Sequence, residues 1–262
     1  MCFPPGARPP EIPDDLRSIS GGAGGEDVVL TSTDGATFRA FLAKAQQGDA
    51  GVVIAPDVRG LHRFYEELAE RFASAGIHAI AFDYFGRTAG TARRPDDFAF
   101  QEHVTAARAR PDLIQADVAA SAAELRARTR VTRVFVLGFC MGGRVAFNAA
   151  AEQGDLAGVV GFYGVTRPRD ENDKDAPIAK VDRIRTPILG LFGDADQAIP
   201  ASDVATFDKA LEERRIAHHL VTYPGAPHSF FDRAFADFKT ECEDAWRRAL
   251  GFMSTGDPSA VK

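Results

Sequence analysis

Arg133-Val-Phe-Val-Leu-Gly-Phe-Cys-Met-Gly-Gly-Arg-Val-Ala-Phe-Asn-Ala-Ala-Ala151 is the stretch whose reading decides the fold. Val134 to Leu137 is a short apolar run rich in β-branched and aromatic residues, as a buried strand should be. Arg144 to Ala151 is Ala-rich and favours helix. Between them, Gly138-Phe-Cys140-Met-Gly142-Gly143 places glycines two positions to either side of one nucleophilic side chain. That pattern predicts a sharp strand-to-helix turn, with small residues where strand and helix approach and the central residue strained at the tip. The hydrolytic form of this turn is Gly-x-Ser-x-Gly; here Cys140 replaces the serine. A thiol beside a helix N-terminus is favoured as thiolate by the helix dipole. Cysteine is also among the most buried residue types, but Cys140 falls in the turn and not in the strand. A phosphate-cradling loop would need Gly-x-Gly-x-x-Gly with a later acid, or a Lys-Ser/Thr pair, and neither spacing is present.

The 262 residues are enough for one large α/β domain or two small ones. With 45% hydrophobic and 26% charged residues the composition is that of a soluble globular protein. A net charge of −6 and the lack of a basic stripe argue against a nucleic-acid partner. Cys2, Cys140 and Cys242 show neither paired spacing nor a CxxC pair, which suits free thiols in a reducing compartment; no metal and no cofactor is expected. The first 15 residues are Pro-rich without an apolar core, and no run approaches the roughly 20 residues that span a bilayer. The expectation is a cytoplasmic enzyme, monomer or homodimer, without membrane contact.

Residues 1–25 read as a Pro/Gly-rich arm, 26–253 as a single domain and 254–262 as a frayed tail. Asp27 to Thr31 and Thr37 to Ala43 read as strands joined by an Asp34-Gly35 hairpin turn. Val52 to Ala55 is a buried strand, Pro56 to Gly60 its loop, and Phe64 to Ala75 a helix stopped by Gly76. Ile77 to Phe82 is the next strand. Residues 88–111 form a polar excursion with a short helix near 100–108, before a helix from Pro111 to about Arg128. After the turn at Cys140, strands are expected at Leu156–Phe162, Pro187–Phe192 and Ala217–Tyr223. Helices are expected at Ser202–Arg214 and Phe235–Phe252, and 164–186 is a charged surface insertion. Alternating strand and helix predicts a mainly parallel sheet of about eight strands with helices on both faces. Ligands bind such sheets at the carboxyl ends of the strands, where the loops 56–60, 138–142, 193–200 and 224–231 all fall.

A thiol nucleophile needs a base, and the base an orienting acid. Of six histidines, His228 alone sits in a Pro-bracketed loop after the last strand; His62 starts a helix beside another such loop and is placed to touch a ligand. Asp194 and Asp196 share one loop, one of them a turn residue, and spacing does not choose between them. Nucleophile, acid, histidine is the chain order of α/β-hydrolases. Oxyanion donors are expected from the Met141 amide and, in the loop after Val52–Ala55, from Val58.

The sequence resembles the dienelactone hydrolase family of the α/β-hydrolases. The matching stretches are Ile54–Gly60, Ala81-Phe-Asp-Tyr-Phe-Gly-Arg87, Gly138–Gly143, Phe162-Tyr-Gly164, Phe192–Pro200 and Pro227-His-Ser-Phe230, spanning about 27–250. The resemblance implies a Cys140–His228–Asp196 triad, with Arg87 receiving a substrate carboxylate beside Tyr84. It also implies an acid contacting the thiol, here Asp57 where the family has Glu. A second carboxylate-binding arginine of the family corresponds to Asp232, an acid that opposes an anionic lactone. The function implied is hydrolysis of a lactone or carboxylic ester through a Cys140 acyl-thiolester. The competing reading is a thiol redox or small-molecule-binding protein, which would not require His228 or Asp196.

Overall fold

A computed structural model describes residues 8–17 and 24–261, and the chain forms two compact units that divide after Val134. The expected arm lies outside the described residues at 1–7 and 18–23, and Cys2 with it. Its described part carries one 3₁₀ turn, Asp14–Leu16, with Ile12 and Leu16 buried.

In the first unit, β1 (Glu26–Thr31) and β2 (Thr37–Ala43) form the expected antiparallel hairpin, with Thr31 opposite Thr37. Gly35 takes φ 82° in the connection, and Ser32 N–H donates to the Ala36 carbonyl at 2.8 Å. A β–α–β unit follows: β3 (Ala50–Ala55), α1 (Arg63–Ser74) and β4 (His78–Phe82), with β3 parallel to β4 and the order β1-β2-β4-β3. Every residue of β3 and β4 is buried, which is why their sequences read as apolar runs and not as alternation. Helix α1 buries Phe64, Tyr65, Leu68, Ala69, Phe72 and Ala73, an apolar stripe at helical spacing.

The polar excursion holds α2 (Gly86–Ala89) and α3 (Gln101–Ala109), and α4 (Pro111–Thr129) follows with proline at its first position. Arg94 organises the excursion. Its buried guanidinium lies 2.8 Å from the Asp83 carboxylate, donates to the Ala89 and Gly90 carbonyls at 2.9 and 2.6 Å, and covers the Phe98 ring. Asp83, at the end of β4, has no exposed surface, and the guanidinium is what offsets the cost of burying that carboxyl.

The second unit, which begins within β5 (Arg133–Phe139), is wholly parallel: β5, β6 (Gly158–Phe162), β7 (Ile188–Gly193) and β8 (His218–Tyr223), in that order. The connecting helices are α5 (Met141–Glu152) and α6 (Ala201–Glu213), and α7 (Lys239–Thr255) closes the chain. Strands β5 to β7 are buried almost throughout, whereas β8 is half-buried, as befits an edge. The eight mainly parallel strands and their helices make the fold class α/β, as the alternation predicts.

Three boundaries differ from expectation. Helix α5 starts at Met141, three residues before Arg144, because the helix forms directly from the turn. Helix α7 starts at Lys239, since 235–238 is a turn closed by Phe238 N–H on the Phe235 carbonyl. It then runs into the expected tail as far as Thr255, where Gly256 at φ 80° caps it. The insertion 164–186 contains a 3₁₀ segment, Pro177–Arg183, that lacks a periodic signature. It is anchored by Arg144 of α5, buried, which donates to both carboxylate oxygens of Asp173 at 2.8 Å.

Candidate active site

Cys140 sits between β5 and α5 at φ 54° and ψ −108°, a conformation an L-residue adopts only under constraint. The constraint is visible. Cys140 N–H donates to the Phe162 carbonyl at 3.0 Å, and its own carbonyl accepts from Arg144 N–H at 3.2 Å. A Cβ on Gly138 would stand 1.9 Å from the Gly142 carbonyl oxygen, and one on Gly143 2.5 Å from that of Phe162. Glycine is therefore dictated at both places by close approach. Met141 opens α5, so its N–H has no partner within the helix and is available to a developing oxyanion.

His228 follows β8 in the Pro224–Phe231 loop. Its Nδ1 lies 2.6 Å from Asp196 Oδ2, in the loop after β7. Asp196 is 5% exposed, and its Oδ1 accepts the Ala198 N–H at 2.8 Å. The choice that spacing left open is thus visible in the geometry: Asp194 accepts the Gly225 N–H at 2.5 Å and serves the turn, while Asp196 meets the imidazole. Burial disfavours the imidazolium, but hydrogen bonds to Asp196 and to the Cys140 side chain outweigh it and raise His228 to about 10. With Nδ1 taken by Asp196, Nε2 is the nitrogen left for the thiol. A buried carboxylate, an imidazole and a half-buried sulfur thus form one hydrogen-bonded row.

Around the row lies an aromatic floor. Phe139 stacks on Phe162 at 4.6 Å and on Phe231 at 5.7 Å between ring centroids. Tyr163 places its ring 5.0 Å from that of His228, and its hydroxyl donates to Asp232 Oδ2 at 2.8 Å. Sequence reasoning quoted Tyr163 only within the Phe162-Tyr-Gly164 match; Asp232 drew notice as an acid four residues after the histidine.

The remaining expected site residues lie in the first unit. Asp57 is buried near the start of the loop after β3; its carboxylate accepts the Arg59 N–H at 2.9 Å, and its own N–H donates to the Tyr65 hydroxyl at 2.9 Å. Val58 is half-buried in the same turn, closed by Gly60 N–H on the Asp57 carbonyl. His62, at the start of α1, has Nε2 3.9 Å from Asp57 Oδ1; burial first, and the Arg59 charge second, hold it down at about 3, so it is neutral. The Tyr84 hydroxyl donates to the Pro56 carbonyl at 2.6 Å and steadies that loop. Arg87, expected to receive a substrate carboxylate, is paired within its own chain. Its guanidinium is engaged by Asp34 (2.8 and 2.9 Å) and Asp117 (2.6 and 2.9 Å), so its donors face two carboxylates of its own chain.

Among the described residues no group of three or more His, Cys, Asp or Glu is arranged to hold a metal ion, and no helix is long and apolar enough to cross a membrane.

The sequence model of the dienelactone hydrolase family matches residues 38–256. The chain belongs to the dienelactone hydrolase family. An Escherichia coli (strain K12) protein assigned as a carboxymethylenebutenolidase is 30% identical over 232 residues, covering 83% of this chain and 82% of the relative. A Bradyrhizobium protein named "Probable 2-oxo-3-(5-oxofuran-2-ylidene)propanoate lactonase" is 27% identical over 236 residues, 87% of this chain and 93% of its own. A crystal structure from Klebsiella pneumoniae subsp. pneumoniae MGH 78578, assigned as a dienelactone hydrolase, superposes with a TM-score of 0.76 at 24% identity, covering 88% of this chain and 98% of that one. As a member of this family the protein is a hydrolase of the dienelactone hydrolase type, with an α/β-hydrolase fold and a small-molecule substrate.

Proposed function

We propose that the protein hydrolyses a lactone or carboxylic ester through an acyl-thiolester on Cys140. The Cys140 thiolate attacks the carbonyl carbon, and the Met141 N–H stabilises the oxyanion as it forms. Collapse of the tetrahedral species breaks the acyl C–O bond; imidazolium His228 gives its proton to the departing oxygen. Neutral His228 then takes a proton from water, the hydroxide attacks the thiolester, and the acid and the thiolate are released. Asp196 holds the imidazole by Nδ1 throughout and stabilises its cationic form. The observation that carries the proposal is the 2.6 Å contact of Asp196 with His228, whose other hydrogen-bonding partner is Cys140.

The acyl group is inferred to be uncharged. A substrate carboxylate wants a cation, but Arg87 is spent on Asp34 and Asp117, and Asp232 adds a negative charge four residues from His228. Short aryl esters and lactones, with and without a carboxylate, supply the test. Uncharged members should be turned over best, and acid quenching should trap an acyl group on the peptide carrying Cys140. Cys140→Ala should lose about 10⁴-fold or more in kcat. Wild-type-like turnover by Cys140→Ala would end the proposal.

A further inference from the structure

We propose that Tyr163 and Asp232 form a second support for the His228 imidazole, acting through the tyrosine ring and not through a hydrogen bond to the histidine. The inference rests on His228 as the base. Tyr163 follows β6 directly. Its N–H donates to the Leu191 carbonyl of β7 at 2.8 Å, and its side chain has no exposed surface. The ring is held between His228 at 5.0 Å, Phe230 at 5.7 Å and Phe139 at 6.1 Å. The hydroxyl at its far end donates to Asp232, whose other carboxylate oxygen accepts the Arg233 N–H. Asp232 belongs to the histidine's own loop, where Asp232 N–H and Ala234 N–H both donate to the Ser229 carbonyl, at 3.3 and 3.2 Å. The structure thus closes a ring of contacts: imidazole, tyrosine ring, hydroxyl, carboxylate, and back along the loop to the imidazole.

Two features separate this from ordinary packing. Asp232 is 2% exposed beside Phe230 and Phe231, a place where an apolar side chain would cost nothing in desolvation. A carboxyl there fixes direction, because it accepts from two defined donors. Strain is also concentrated here. Five non-glycine residues have positive φ among the described residues, and three of them are Cys140, Tyr163 (38°) and Ser229 (64°). Such backbone persists only where its surroundings over-determine it. The pair Tyr163–Asp232 supplies that determination for the imidazole, from the opposite end of the ring that faces it.

The test compares Tyr163→Phe, Asp232→Leu, their double variant and Asp232→Asn in steady-state hydrolysis of an uncharged aryl ester. Tyr163→Phe keeps the ring and removes the hydroxyl. It should lower kcat between about tenfold and a hundredfold, the scale of a slightly misplaced catalytic group, with KM within about twofold. Asp232→Leu should lower kcat at least as far, because it also releases the Arg233 N–H, and the double variant should be no worse than Asp232→Leu alone, since the Tyr163–Asp232 contact is already lost there. Asp232→Asn should recover most of the rate, because an amide bonds the hydroxyl whichever way it is turned. Phe207→Leu, in α6, serves as a packing control that lowers the thermal midpoint and leaves kcat in place. Wild-type kcat in Tyr163→Phe, or a loss confined to KM, would overturn the proposal. An active Cys140→Ala would instead remove the hydrolytic mechanism itself; an inactive Cys140→Ala beside a fully active Tyr163→Phe removes only this support.

Discussion

Asp196 and Asp117 are both carboxylates withdrawn from water, and each holds a cationic side chain, yet the two cations are left in different states. Arg87 gives Asp117 two hydrogen bonds and gives Asp34, on its other side, two more. Four donors of a fixed fork are consumed, and the assembly carries one negative charge in excess. His228 gives Asp196 one nitrogen and keeps the second for a sulfur that can react. An ion pair becomes machinery when the cation retains an unspent, directed donor; flanked by carboxylates on both sides, it becomes a strut. Arginine suits the strut, with a planar fork that never loses its charge, and histidine suits the machinery, because it gives up its proton within reach of neutral pH.

The largest expected effect lies on the histidine side. Asp196→Asn should cut kcat by about 10²- to 10⁴-fold, as loss of an orienting acid does. The same variant should change the pH dependence of stability. His228 is raised from 6.5 to about 10 when folded, with burial opposing and the hydrogen bonds to Asp196 and Cys140 prevailing. A raised histidine contributes stability that is complete below about 6.5 and is lost as pH climbs through about 10. Wild-type protein should therefore lose on the order of 2–3 kcal/mol of unfolding free energy between those limits, read from urea midpoints, after allowance for screening. In Asp196→Asn the decline should be smaller in total and should end nearer neutral pH. An identical pH profile in both proteins would show that the two residues are not coupled.

Arg87 sharpens the other half of the comparison. Arg87→Ala leaves Asp117, whose side chain has no exposed surface, without its cation, and should cost about 3–5 kcal/mol in chemical denaturation. Asp117→Asn added to it should restore much of that loss, because the orphaned charge is removed. If Arg87→Ala were as stable as wild type and instead raised KM only for substrates bearing a carboxylate, the strut would be a substrate receptor after all.

The contrast also explains how far sequence reached. The elbow was legible because its glycines and Cys140 lie within six residues, where local sterics alone decide the backbone. His228 was legible from its Pro-bracketed loop and its place in chain order. The choice of Asp196 over Asp194 was not fixed by spacing, since it depends on which carboxylate a loop 32 residues later approaches. The commitments of Arg87, Arg94 and Arg144 were illegible for the same reason: a guanidinium carries no periodic signature, and Asp117 and Asp173 lie 30 and 29 residues from their partners. The 3₁₀ segment at Pro177–Arg183 hides in a charged stretch because Arg144, Asn148 and Lys180 hold that stretch in place, without an apolar stripe.

The central claim is that His228 keeps Cys140 ready to react, and the rate of alkylation by iodoacetamide near neutral pH tests it directly. Cys242 provides an internal contrast: burial pushes its thiol up to about 12, and it lies 3.6 Å from the Phe230 carbonyl. Cys140 should be labelled well ahead of Cys2 and Cys242, and His228→Ala should slow Cys140 alone. Equal labelling of all three cysteines, or a Cys140 rate indifferent to the loss of His228, would contradict the account.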